Sequence, residues 1–225
     1  SQFLYLPIPY GPAPNYDGSG SLPPAYQTQV VPASGTVNDF MTNFTDWHLV
    51  QKGTNPTATI DFIETRTFIR NGRDLGDYVH QDTPMQPYMN AGSILLGFGP
   101  DALDPANPYI NNPSQESFVT YGVADILDIL GIASQVALRA AWYQKWLVHR
   151  RLRPEFFGFL AHQQKSGTQD FGISNELINS NALIQTFNRY GTFFLPQAYP
   201  EGSPTHPSYP AGHATVAGAS VTILK

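Results

Sequence analysis

Residues 117–154 read SFVTYGVADILDILGIASQVALRAAWYQKWLVHRRLRP and hold the longest uninterrupted helical pattern in the chain. Val123, Ile126, Leu127, Leu130, Val136, Leu138 and Trp142 recur at steps of three and four, which predicts a helix over 117–152. Gly131 is the point where it divides or bends. Arg153-Pro154 ends it, because a proline ring pushes the preceding residue out of the helical region. Further helices are predicted from Asp74 to about His80, from Pro87 to Leu96, over 174–189, and from Ala211 or Gly212 onward. A short strand is expected at Tyr26 to Val31 as part of a β-hairpin, and the apolar spacing of Phe40 to Val50 suits a helix or a strand. The sum is a mainly α fold.

Composition narrows the functional classes. Across 225 residues, 41% are hydrophobic and only 13% charged, with a net charge of -5. That describes a chain with apolar surface to bury, and it supplies no basic field for nucleic acid or an anionic membrane. Asp125, Asp128 and Arg139 interrupt the longest apolar run, so no membrane span is expected. Cysteine is absent, which excludes disulfides and thiolate metal sites. Residues 1–36, dense in Pro and Gly, are expected to be an extended segment, and 37–225 a partial helical domain. Neither an initiator Met nor a signal peptide is visible at Ser1, and the last helix is still running at Lys225. Both ends read as cut, so a fragment of a longer protein is expected.

The long loop 97–114 offers Asp101, Asp104, Asn111 and Asn112 as oxygen donors. A calcium ion could use them; a solvated turn region rich in Asp and Asn is the plainer reading.

Two constellations carry chemistry. Lys145, Arg150, Arg151 and Arg153 place four of the twelve Lys and Arg residues within nine positions. On a continuous helix, residues 145 and 153 would emerge within about 80 degrees of each other and could converge on one anion. The alternative is a solvated basic helix end that complements the helix dipole. The second constellation, Pro207-Ser-Tyr-Pro-Ala-Gly-His213, sets a Gly-His pair where a helix begins. A helix start presents unpaired N–H groups to an oxyanion. Gly212 allows close approach, and the imidazole of His213 can donate a hydrogen bond or exchange a proton near neutral pH. Together they suggest a cradle for a tetrahedral oxyanion.

These two strings resemble the first two of three motifs in the superfamily joining vanadium-dependent haloperoxidases to the acid phosphatases. The eight-residue step from Lys145 to Arg153, the Tyr143-Gln-Lys145 and His149-Arg-Arg-Leu-Arg-Pro-Glu155 strings, and Glu201-Gly-Ser-Pro-Thr-His206-Pro are similar to algal and cyanobacterial bromoperoxidases. The resemblance reaches back, more loosely, to about Tyr26.

It implies a helical-bundle domain of the haloperoxidase and acid-phosphatase type. Vanadate(V) would be the cofactor, hydrogen peroxide and bromide or iodide the substrates, and hypohalous acid the product that halogenates an organic nucleophile. Lys145, Arg153 and the Gly212 amide would hold the oxyanion. His213 would be the general acid-base, Lys145 would also polarise the bound oxidant, and His206 would lie behind His213. The third motif, with the His that binds vanadium, would fall beyond Lys225. Two positions depart from the pattern: Ala211, where the family usually has Ser, and Trp142, where red-algal enzymes carry Arg. A homo-oligomer outside the cytoplasm is the family expectation. The rivals are a phosphatase of the same superfamily and a non-catalytic oxyanion carrier.

Overall fold

The computed structural model describes residues 39–56, 58–60, 72, 73, 76, 80 and 84–225. Its helices are α1 (Phe44–Gln51), α2 (Gln86–Gly97), α3 (Val123–Tyr143), α4 (Pro154–Lys165), α5 (Asn175–Ile178), α6 (Asn181–Tyr190) and α7 (Gly212–Leu224). A 3-10 turn at Pro100–Ala102 follows α2, and a π-helical segment, Gln144–His149, continues α3. The described residues hold no strand; Phe40 and Gln197 form an antiparallel bridge, each N–H donating to the other's carbonyl at 2.9 Å. The mainly α expectation therefore holds. The expected segment 1–36 and the strand at Tyr26 to Val31 lie outside the described residues. Of the region around the Asp74 to His80 helix, Gly72, Arg73, Gly76 and His80 are helical and the rest lies outside too. Among the described residues no helix is long and apolar enough to cross a membrane.

The chain divides into two compact units. One takes the described residues of 64–148 with Tyr209–Lys225; the other takes those of 29–63 with His149–Ser208.

In the first unit α3 packs against α7 and α2. The buried stripe of α3 is Leu130, Ser134, Ala137 and Ala141, whereas Val123, Val136 and Trp142 of the periodic pattern are exposed. Small side chains explain the choice, since they let a neighbouring backbone come close. Ser134 and Ser220 face each other across α3 and α7 with hydroxyl oxygens 3.1 Å apart, so two buried polar groups satisfy one another. At Gly92 of α2 a β-carbon would stand 2.9 Å from Leu130 Cδ1. The helix starts at Val123 rather than 117, because Tyr121 takes a left-handed φ of 59. Its N–H donates to Asp125 Oδ2 at 2.7 Å, a side chain reaching back to the helix start. Gly131 does not interrupt α3.

The second unit is built on aromatics. Met41, Trp47 and Phe194 are buried, with Phe156 and Phe159 packed against them. Trp47 stacks on Phe159 at 4.0 Å and donates its indole N–H to the Glu155 carbonyl at 3.2 Å. The helix-or-strand ambiguity of Phe40 to Val50 resolves at Asn43, whose side chain caps α1 by accepting the Asp46 N–H at 3.0 Å. The helical stretch over 174–189 divides into α5 and α6 because Ser180 caps a fresh helix start. Gly191, at φ 70, closes α6.

Two expectations follow. Ala211 is the N-cap of α7 and provides no side-chain cap. Ala211→Ser should stabilise the protein by about 0.5–2 kcal/mol, read as a raised denaturant midpoint; an unchanged or lowered midpoint would show that Ser cannot cap this helix. His162 accepts the Phe193 N–H at Nδ1, 3.3 Å away, and burial lowers its pKa below 6.5. The unfolded chain therefore takes up the proton first, so this contribution is complete above about pH 6.5 and is lost as pH falls through the lowered folded value. Denaturation midpoints measured between about pH 7 and pH 5 should decline, and His162→Gln should flatten that decline; parallel curves would remove His162 as the cause.

Candidate functional site

Lys145 extends the buried stripe of α3. It follows Ala141 by one turn and is 4% exposed. Removing an ammonium from water is costly unless negative charge or oriented dipoles face it. Lys145 sits in the π-helical segment Gln144–His149, a widened turn of a kind often found at functional positions.

The helix does not continue to Arg153, and here the sequence reading is corrected. After His149 the chain leaves the helix, with Arg150 at a φ of 47, and Arg153 becomes the N-cap of a new helix, α4. Both the π turn and the break cancel the phase relation that a continuous helix would impose. Lys145 and Arg153 fall in different units, and Arg150 and Arg151 are exposed. Arg153 is half-buried, and its Nε is fully buried with no hydrogen-bond partner among the described residues. Such a donor in a charged group is costly until it meets an acceptor.

The Gly-His pair lies where expected. Gly212 and His213 are the first two residues of α7, and Ala211 precedes them as N-cap. A β-carbon at Gly212 would stand 3.2 Å from Leu138 Cδ1, so α3 crowds this end of α7. His213 is exposed, and its carbonyl accepts the Tyr88 hydroxyl at 3.4 Å. By helix geometry the first amides of α7 have no intrahelical acceptor, and Ala211 adds no side-chain oxygen to occupy them. This unit thus holds Lys145, Gly212 and His213; Arg153 and His206 belong to the other. His206 is half-buried, with Nδ1 3.0 Å from the Pro207 carbonyl, a contact that requires the proton on Nδ1. Trp142 is exposed at the last turn of α3.

One residue was missed as a participant. Glu155, in the first turn of α4, is buried and accepts the Ser203 hydroxyl at Oε2, 2.9 Å away. It thereby ties the loop carrying His206 to the start of α4. A carboxylate after Arg-Pro is ordinarily a surface group at a helix start, so the residue type did not signal burial.

In the 97–114 loop, two of the four side chains considered for calcium, Asp104 and Asn112, serve the backbone. Asp104 Oδ1 accepts the Ala106 N–H at 2.8 Å, and Asn112 Oδ1 accepts those of Ser114 and Gln115 at 3.0 Å. These are turns closed by Asp and Asn side chains. Among the described residues no three His, Asp or Glu side chains converge as a cation site. The geometry favours the plainer reading at Asp104 and Asn112.

No protein-family model matches the chain. It is similar to a vanadium-dependent bromoperoxidase of Ascophyllum nodosum, 39% identical over 199 residues, which is 83% of this chain and 35% of that protein. The bromoperoxidases of Corallina pilulifera and Corallina officinalis are each 36% identical over 210 residues, with the same two coverages. Among solved structures, the homohexameric second vanadate-dependent bromoperoxidase of Ascophyllum nodosum matches the whole chain and 36% of its own, with a TM-score of 0.83 and 32% identity. The chain therefore spans about a third of the length of the relatives it matches. In sequence and in fold it belongs with the vanadium-dependent bromoperoxidases, as the counterpart of that third of their length.

Proposed function

We propose that the protein containing this chain is a vanadate-dependent haloperoxidase that oxidises bromide with hydrogen peroxide to hypobromous acid, which then halogenates an organic nucleophile. The observation that carries the proposal is Arg153, whose buried Nε lacks a hydrogen-bond partner among the described residues within a chain similar to vanadium-dependent bromoperoxidases. A donor set of ammonium, guanidinium and helix-start amides fits a compact oxyanion such as vanadate. Bound vanadate(V) supplies a Lewis acid that activates hydrogen peroxide toward halide without changing oxidation state.

The residues of this chain divide the remaining work. Lys145 and Arg153 neutralise oxyanion charge, Arg153 adding directional hydrogen bonds that an ammonium cannot. The Gly212 amide donates a further hydrogen bond along the axis of α7, where the helix dipole favours negative charge. His213 accepts a proton from incoming peroxide at a ring nitrogen and returns it later. Lys145 also polarises the oxygen that the halide attacks. His206, with its Nδ1 engaged by the Pro207 carbonyl, helps to orient the acid-base group. The solved relative named as homohexameric supports a homo-oligomer here.

The test uses the complete protein, stripped of oxyanion and reloaded with orthovanadate. Bromination of a phenol dye should require bromide, peroxide and vanadate together. His213→Ala should lower turnover about 100-fold or more while leaving orthovanadate affinity within a few-fold. Lys145→Ala and Arg153→Ala should each weaken orthovanadate binding at least about tenfold. Hydrolysis of a phosphomonoester without vanadate-dependent bromination would replace this reading with a phosphatase, and neither reaction would leave an oxyanion carrier.

A further inference from the structure

We propose that Ser208 is a positioning residue for Arg153, acting through the backbone of the two residues before it; this rests on the oxyanion-binding reading above. The Ser208 N–H donates to the Arg151 carbonyl at 3.1 Å, and its hydroxyl donates to the Leu152 carbonyl at 2.7 Å. One serine thus engages two consecutive carbonyls immediately ahead of Arg153.

Those carbonyls belong to a stretch with no ladder of its own. The π-helical segment ends at His149, Arg150 has a φ of 47, and regular structure resumes only at Pro154. On the far side the Arg153 carbonyl accepts the N–H groups of Phe156 and Phe157, both at 3.1 Å. Arg153 is therefore held by α4 after it and by Ser208 before it. The loop that carries Ser208 is itself anchored to the same stretch, because Ser203 donates to the buried Glu155 carboxylate.

A long guanidinium side chain delivers directional hydrogen bonds only from a fixed Cα, and small displacements of a binding group are expensive. The Arg153 Nε is already buried and unpartnered among the described residues, so loosening its backbone costs binding rather than a contact made within the chain. The Ser208 hydroxyl is not a core group, and its removal leaves a carbonyl that water can reach.

The probes are orthovanadate and inorganic phosphate, with affinity measured by calorimetry on the complete protein. Ser208→Ala should weaken binding of both about fivefold to tenfold with the thermal midpoint nearly unchanged, and Ser208→Thr should restore the affinity. In an Arg153→Ala background, Ser208→Ala should cost less than about twofold, since the residue it positions is gone. By reciprocity, orthovanadate should slow hydrogen exchange at the Ser208 amide of the wild-type chain by a similar factor, a measurement that stands even if Ser208→Ala does not fold. Unaltered affinity in Ser208→Ala, an equal loss in both backgrounds, or no protection of the Ser208 amide would each overturn the proposal. Wild-type protein that binds neither anion would overturn the oxyanion reading with it, whereas wild-type binding with an indifferent Ser208 sinks only this inference.

Discussion

The close approach of α3 and α7 is the constraint on which the first unit depends. Ser134, Ala137 and Ala141 keep that face of α3 shallow, and the serine pair Ser134 and Ser220 makes the contact dry without orphaning a polar group. The consequence reaches the end of the pair where α3 closes and α7 begins. Leu138 lies against the start of α7 at Gly212, and the same stripe continues into Lys145. Packing that holds two helices together thus also crowds an amide-bearing helix start.

In the second unit the organising element is the break between helices. A chain that continued as an α-helix past His149 would spend the carbonyls of residues 150–152 on its own ladder. Instead, Arg150 turns into the left-handed region and Pro154, which needs no N–H partner, opens α4 with Arg153 as its N-cap. The carbonyls of Arg151 and Leu152 become acceptors for Ser208, and the Glu155 side chain becomes an anchor for Ser203. The aromatic cluster around Trp47 fixes this stretch through the Glu155 carbonyl. Stability and positioning are therefore served by adjacent groups of one residue: the Glu155 backbone faces the core and its carboxylate faces the loop.

At Ala211 and Gly212 the start of α7 goes without a side-chain cap. A Ser or Asp at the N-cap would satisfy one or two of the amides that α7 leaves open, whereas Ala satisfies none. The start of α7 is in this way less stable by itself. A side chain at Gly212 would bring its β-carbon to 3.2 Å from Leu138 Cδ1, closer than ordinary van der Waals contact, so Leu138 would have to shift.

By itself the sequence determined the helical class, the existence of α2, α3 and α7, the ends of α2 and the start of α7 to about a residue, and the types of group proposed to bind an oxyanion. Periodicity, proline and glycine act locally, and the motif strings 145–155 and 201–213 are contiguous, so both are legible without a fold. Tertiary structure alone decided which face of an apolar helix is buried. Val136 and Ala137 are neighbours on α3, and hydrophobicity favours the valine, yet the partner helix needs the alanine's small volume. It also decided that Lys145 and Arg153 lie on separate helices and that Glu155 is inside. Register, burial and the partners of a serine hydroxyl depend on what packs against a residue, and that information is spread across segments far apart in the chain.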